Sequence, residues 1–310
     1  MRYSRQELFI GKKGQQQLQN SKVAIMGLGA LGTVSAELLA RAGIGHLTLI
    51  DRDIVELTNL QRQGLFLEED LGKPKSLQAQ KRLEKINSEI TIEPHFIHLD
   101  YENIDLIKAN IILDCSDNLE TRFLLNEFSI RENTPLIYSA AVRDKGYIFS
   151  VLPGKACLNC ILNQKKTIET CETSGVLNTT THLIASLQVS EAIKILTHNY
   201  PKHDLLFVDL SKNVIKKIKV KKNPRCQSCL KQFQYLPGKK TLNSLYYCGT
   251  YVIKDTFDYQ ELKNRLKKLN IQDFGDAFHY QSLTVFPNCI LIRATTKKEA
   301  RTIYSKYIGN

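Results

Sequence analysis

Three groups of residues have types and spacings that chemistry could use. The first is the run Gly27-Leu-Gly29-Ala-Leu-Gly32, with Asp51 nineteen residues beyond it. Glycines so placed let the chain turn tightly and let a phosphate approach the backbone at the positive end of a helix. An acid at the Asp51 position can accept hydrogen bonds from ribose hydroxyls. These features indicate a nucleotide but do not choose between NAD and ATP. The residues that choose are Thr58-Asn59-Leu60-Gln61-Arg62 and then Lys75. A dehydrogenase holds a diphosphate that the turn already shields, whereas an ATP user must neutralise a triphosphate whose charge builds on the leaving pyrophosphate. Arg62 can grip phosphate with a bidentate fork and Lys75 can act as a point charge. Surface solvation is the alternative for both.

The second group is Asp114-Cys-Ser-Asp117-Asn118, at the end of an apolar strand pattern. Ligands of parallel sheets bind at that edge, and the hard carboxylate of Asp117 suits magnesium. A helix N-cap is the alternative role for Asp117. The third group is cysteine. Cys157-x-x-Cys160 and Cys226-x-x-Cys229 have the spacing of a four-thiolate structural zinc site, and the 65 residues between the pairs exceed a compact finger. A catalytic metal would need an open position, which nothing here suggests. Cys171 lies in the polar stretch Glu169 to Gly175, where an exposed thiolate could serve as a nucleophile. Cys115 and Cys289 read as packing residues.

The elements that must carry these groups alternate. A strand at Lys22 feeds the glycine turn and a helix through about Ala42, and His46-Leu-Thr-Leu-Ile50 ends in Asp51. A helix spans about Lys75 to Asn87, followed by strands near Thr91 to Ile97 and Ile111 to Asp114, and a helix from about Asn118 to Glu132. Strands Leu136 to Ala141 and Tyr147 to Leu152, a long crossover, a helix from about Thr181 to Leu196, and strands Leu205 to Leu210 and Val214 to Val220 complete the pattern. The fold class is therefore α/β: a Rossmann-like, mostly parallel sheet with helices on both faces. Pro237-Gly238 marks a boundary. Residues 1–236 form the nucleotide domain with the zinc site. Residues 237–310 form a small α+β domain with a strand-helix-strand-strand-helix pattern and helices near Tyr259 to Leu269 and Lys297 to Tyr307.

Composition excludes several classes. Hydrophobic residues at 43% and charged residues at 24% describe an ordinary globular chain and not a disordered one. The N-terminus is polar where a secretory signal is apolar, and no apolar run approaches the roughly 18 residues of a membrane span. This places the protein in the cytoplasm and argues against a disulfide framework. The net charge of +12 raises nucleic acid as a partner, but Ser211 to Lys240 alone carries ten Lys or Arg and no acid. A solvated lysine-rich strand face accounts for that stretch, attraction of an acidic protein comes second, and nucleic acid is a distant third.

In this order and spacing, the residues match a known family over about residues 1–236. Arg2-Tyr-Ser-Arg-Gln6, the glycine run, Asn59-Leu-Gln-Arg-Gln63, Lys73-Pro-Lys75, Asp114 to Asn118, the paired cysteines and Ser186 to Lys194 together resemble the ThiF/MoeB adenylyltransferases, relatives of ubiquitin-activating enzymes. The resemblance implies that the C-terminal carboxylate of a Gly-Gly-ending sulfur carrier of ThiS or MoaD type attacks the α-phosphate of ATP, in thiamine or molybdenum-cofactor biosynthesis. It implies ATP, magnesium and zinc as cofactors. Gly27, Gly29, Gly32, Asp51, Thr58, Asn59, Gln61, Arg62, Lys75, Asp117 and Asn118 would bind the nucleotide, with Asp51 on ribose and Asp117 on magnesium. Arg62, Lys75, Asp117, Cys171 and Arg5 would serve catalysis, Arg5 reaching the ATP of a second subunit in a homodimer. A sulfurtransferase or cysteine desulfurase is the expected sulfur source.

Two departures stand out: Thr58 replaces a serine, and the C-terminal residues do not resemble the rhodanese domain of some relatives. Arg2 to Gln6 and Lys73 to Ser76 lean towards ThiF. An NAD(P)-dependent oxidoreductase would leave Arg62, Lys75 and Asp117 without a shared purpose. A non-catalytic zinc-knuckle scaffold or nucleic-acid binder would lack aromatic interleaving for base stacking.

Overall fold

The computed structural model describes residues 2–162, 174–197, 203–240, 246–247, 249–254 and 257–309. The chain divides into two compact units, 1–95 with 99–240 and 96–98 with 241–310.

The first unit is built on eight strands: β1 (Lys22–Met26), β2 (His46–Asp51), β3 (Thr91–Phe96), β4 (Ile111–Asp114), β5 (Leu136–Val142), β6 (Lys145–Val151), β7 (Asp204–Asp209) and β8 (Val214–Lys219). Their order across the sheet is β3-β2-β1-β4-β5-β6-β7-β8. β1 pairs in parallel with β2 and β4, and β4 with β5. From β5 onward the pairing is antiparallel. β1, β2 and β4 are apolar almost throughout because helices cover them, and their burial is nearly complete. β8 closes the sheet as an edge strand with Lys216, Lys217 and Lys219 in solvent, so this part of the lysine-rich stretch is a solvated strand face, while the other seven Lys and Arg of the stretch lie outside the strand.

The helices are α1 (Ser4–Gln19), α2 (Gly32–Ala42), α3 (Lys75–Ile86), α4 (Leu119–Glu132) and α5 (Asn178–Leu196). α5 packs on β5, β6 and α2, so it needs more than one buried face. Of its expected apolar positions, Ile184, Ala192 and Leu196 are buried, while Leu183, Leu187 and Ile193 are half-buried. It begins at Asn178, three residues before the expected start. α1 has no counterpart among the expected elements: it is polar on most sides and kinks at Gly11, whose φ of 75° leaves the helical region.

The second unit has its own core, including Leu262, Leu266, Phe278, Val285, Ile290 and Ile292. Six strands, β9 (Tyr246–Tyr247), β10 (Thr250–Ile253), β11 (Gln272–Asp273), β12 (Phe278–Tyr280), β13 (Leu283–Phe286) and β14 (Cys289–Arg293), form an antiparallel sheet in the order β11-β12-β13-β14-β10-β9. Helices α6 (Tyr259–Leu266) and α7 (Lys297–Tyr307) accompany it. Four strands lie between the helices where the pattern showed two, because strands of two and three residues are too short for alternation to register. Cys289 is fully buried in β14, as a packing residue should be. Among the described residues no helix is long and apolar enough to cross a membrane.

Candidate functional site

β1, β2 and β4 end on one edge of the sheet, and the candidate residues follow directly from those ends. After Met26 the chain turns at Gly27, whose φ is +91° and whose amide donates to the Ile50 carbonyl at 2.9 Å. A Cβ on Gly27 would come 2.8 Å from the Cys115 carbonyl oxygen, and one on Gly32 would collide with the Gly27 carbonyl. Gly29 differs, because a Cβ there would meet nothing within 4 Å. Two of the glycines are thus required by packing. The third leaves an open cradle at the start of α2, where backbone amides and the helix dipole favour an anion.

Asp51 closes β2 and is 5% exposed. Its Oδ2 accepts from the Leu28 amide at 2.5 Å and its Oδ1 from the Asp53 amide at 2.7 Å, which ties the acid to the glycine turn. Burial pushes its pKa up to about 6, with Lys75 pulling it down and Asp53 pushing it further up. Lys75, the first residue of α3, is also buried, and its Nζ lies 3.4 Å from Asp53 Oδ2. Burial opposes the ammonium, but Asp53 and Asp51, with Asp117 beyond them, outweigh it and hold the Lys75 pKa above its ordinary value. Asp51, Lys75 and Asp117 therefore share one electrostatic neighbourhood.

Asp117 is exposed at the end of the β4 loop. The N-cap of α4 is Asn118, whose Oδ1 accepts from the Thr121 amide at 2.9 Å, so the capping role weighed for Asp117 belongs to its neighbour. This leaves the Asp117 carboxylate available to a cation. The loop beneath it is framed by Arg122, which donates to the Ser116 carbonyl at 2.7 Å and lies 3.9 Å from the buried carboxylate of Asp114. Burial raises the Asp114 pKa, against the pull of Arg122.

Thr58 and Gln61 are exposed and Asn59 is buried, its Oδ1 accepting from the Glu56 amide at 3.2 Å. Arg62 is half-buried and donates to the Thr58 carbonyl at 2.9 Å, and Arg5 is exposed on α1. Among the described residues no hydrogen bond or ion pair joins Arg62 or Arg5 to Asp51, Lys75 or Asp117. Cys171 lies outside the described residues.

The four paired cysteines converge. Their sulfurs all lie within 4.8 Å of one another, with Cys157 3.6 Å from Cys226, Cys160 3.6 Å from Cys229 and Cys157 3.4 Å from Cys229. Tetrahedral zinc with Zn–S bonds of about 2.3 Å would set sulfurs about 3.8 Å apart. These spacings fit that geometry and are too long for disulfides. Burial and the neighbouring thiols push the Cys157 pKa up, and burial leads Cys229 up to about 11, so a dication is what would let these groups sit together as thiolates. Cys160 is lowered: burial opposes this, but the Asn223 and Cys157 amides that donate to its sulfur prevail.

With this geometry in hand, comparison with known proteins is decisive. The ThiF family model matches residues 3–228. The chain belongs to the ThiF family. A relative in Bacillus subtilis strain 168, named sulfur carrier protein ThiS adenylyltransferase, is 35% identical across 99% of both chains. The molybdopterin-synthase adenylyltransferase of Escherichia coli K12 is 36% identical over 74% of this chain and 96% of its own. Among solved structures, Escherichia coli MccB with ATP superposes with a TM-score of 0.66 at 26% identity, covering 74% of this chain and 73% of that one.

Within this ThiF-family site three residues escaped sequence reasoning. Gln188 is fully buried in α5, donating to the Asp114 and Ile137 carbonyls and accepting from Ser35 Oγ and Cys115 Sγ, so it pins β4, β5 and α2 at the site's base. Arg122 and Asp53 are the others. A polar residue inside an apolar helical stripe is the signal for Gln188, while nothing in the local spacing distinguishes Asp53 from a solvated loop acid.

Proposed function

We propose that this ThiF-family adenylyltransferase activates the C-terminal carboxylate of a ThiS-type sulfur-carrier protein. The carboxylate attacks the α-phosphate of ATP, the bond to the β-phosphate breaks, and pyrophosphate leaves from an acyl-adenylate. The observation that carries the reading is the meeting of Asp51, Lys75 and Asp117 beside the Gly29 cradle at the carboxyl ends of parallel strands. The choice of a ThiS-type carrier is supported by the alignment with the Bacillus subtilis relative, which runs through the second unit, whereas that with the Escherichia coli molybdopterin-synthase adenylyltransferase covers 74% of the chain.

Asp51 orients ribose with its two backbone-anchored oxygens. The ammonium of Lys75 stabilises charge gathering on the departing pyrophosphate, and Arg62 turns from the Thr58 carbonyl to grip phosphate with its fork. Thr58, Asn59, Gln61 and Asn118 complete the set of residues that binds the nucleotide. Asp117 is the residue that would hold magnesium, a hard cation that neutralises phosphate oxygens. Cys157, Cys160, Cys226 and Cys229 would hold zinc in a closed, structural set with no position left for substrate. In this reading a second copy of the chain supplies Arg5 to the site, Cys171 takes part in handling the activated carrier, and a separate sulfurtransferase or cysteine desulfurase delivers sulfur.

The test is ATP–pyrophosphate exchange on purified protein with ThiS-type and MoaD-type carriers added separately. Exchange should require the ThiS-type carrier and fall by about a hundredfold or more in Arg62→Ala and Asp117→Ala, the loss expected for groups that act on transition-state charge. No exchange with any Gly-Gly-ending carrier, despite ATP binding, would overturn the reading.

A further inference from the structure

Asp53 has no role in the mechanism above, yet it contacts two residues that the mechanism uses, Asp51 at the end of β2 and Lys75 at the start of α3. Its amide donates to Asp51 Oδ1 at 2.7 Å, its carbonyl accepts from the Lys75 amide at 2.9 Å, and its Oδ2 stands 3.4 Å from Lys75 Nζ. The backbone around it is clasped to the segment that leads into α3. Ile54 bridges Pro74, the Val55 amide donates to the Lys73 carbonyl at 2.8 Å, and the Gly72 amide donates to the Val55 carbonyl at 3.0 Å. Asp53 and Lys75 are therefore held in register by main chain as well as by charge.

The Lys75 side chain is 7% exposed and that of Asp53 is 38% exposed. A nearly buried ammonium needs a partner, because burial alone would strip its proton. Two acids compete for it. Asp51 already accepts an amide on each oxygen, and a third charged donor would turn it away from ribose. Asp53 offers an oxygen at a separation longer than the roughly 2.7–2.9 Å of a tight charge-assisted bond. A partly solvated carboxylate at that distance is a weak tether, which a polyanionic triphosphate can outcompete.

We propose that Asp53 is a positioning residue that holds the Lys75 ammonium charged and aside from Asp51 until ATP arrives, and then releases it to the phosphates. The inference rests on the adenylation reading and deepens it. Asp53 does not touch the nucleotide itself. Its effect passes through Lys75, and it keeps Asp51 free for the ribose.

The experiment is carrier-dependent ATP–pyrophosphate exchange on the full chain, comparing wild type with Asp53→Asn, Asp53→Glu, Lys75→Gln and the double variant Asp53→Asn/Lys75→Gln. Asp53→Asn should lower kcat by about tenfold or more while KM for ATP stays within about threefold, because the contact that a misplaced Lys75 fails to make, to the departing pyrophosphate, acts on the transition state. Asp53→Glu, which keeps the charge on a longer arm, should recover at least about a third of wild-type kcat, and in the Lys75→Gln background Asp53→Asn should change the rate by less than about twofold. A merely structural residue would be damaged equally by both replacements and would add its cost to that of Lys75→Gln. Active wild type with an indifferent Asp53→Asn, an equally impaired Asp53→Glu, or additive losses in the double variant would overturn the inference alone. Wild type that exchanges with no carrier would overturn the adenylation reading and this inference with it.

Discussion

Glu127→Ala should unseat the segment that follows the second cysteine pair, and the expected loss can be worked from the hydrogen bonds. Glu127 is 1% exposed in α4. Its Oε2 accepts from the amides of Gln234 at 3.0 Å, Tyr235 at 2.8 Å and Leu236 at 2.9 Å, while Oε1 shares the Gln234 amide at 3.0 Å. Three consecutive amides close behind Cys229 thus depend on one carboxylate. Leaving a buried donor without its acceptor costs roughly 1–3 kcal/mol, so three donors, partly re-solvated in the vacated space, should cost about 3–5 kcal/mol. That is a large share of the roughly 5–15 kcal/mol that holds a typical domain together. Glu127→Gln retains one oxygen in the Oε2 position and exchanges charged for neutral bonds, so its loss should be about 1–2 kcal/mol. The chain has no tryptophan, so urea unfolding is followed by circular dichroism. A loss below about 1 kcal/mol in Glu127→Ala, or equal losses in the Ala and Gln variants, would refute the bond-by-bond reasoning.

Other perturbations separate fold from function. Gly32→Ala should fail to fold stably because its Cβ collides with the Gly27 carbonyl, whereas Gly29→Ala should keep the wild-type melting temperature and lose ATP affinity in calorimetric titration. Purified protein should carry one zinc per chain by elemental analysis, and Cys226→Ser should lower both that content and the melting temperature. Asp51 gives a pH signature of definite sign. Burial, against the pull of Lys75, raises its folded pKa from 3.8 to about 6, so the stability it contributes is complete below about pH 3.8 and is lost as pH rises through about 6. Between about pH 4 and pH 7, wild type should lose on the order of 2–3 kcal/mol relative to Asp51→Asn. Parallel stability profiles for the two proteins would count against a raised pKa at this acid.

The parts of the site legible in the sequence were those where chemistry constrains spacing. The glycine turn, Asp51, the Asp114 to Asn118 loop and the cysteine pairs could be read because a strand end, a tight turn or a metal fixes the number of residues between functional atoms. Asp53 could not, because an acid two residues from another looks the same whether it faces solvent or a buried lysine. Gln188 acts on backbone carbonyls of two strands far from it in sequence, and Arg122 acts on the loop six residues before it, where nothing in the spacing sets it apart from a solvated helix arginine. α1 was missed because its stability comes from tertiary contacts such as those of Gln6 and Gln15 to the Ala42 carbonyl, and not from an apolar stripe. The parallel strands were clear from their continuous burial. The short strands of the second unit were not, since two or three residues cannot display a period.

The cysteine quartet also has a consequence for how the protein is made. One pair follows β6 and the other follows β8, with 65 residues between Cys160 and Cys226. During synthesis the first pair emerges long before the second, while β7 and β8 must still be laid against β6 before the four sulfurs can meet. Metal capture by the four thiols would thus come late, after β7 and β8 have joined the sheet. A cell short of zinc would then accumulate chains whose antiparallel edge is laid down but whose cysteine clasp is still open, so metal supply would govern the yield of newly made enzyme more than the turnover of enzyme already folded.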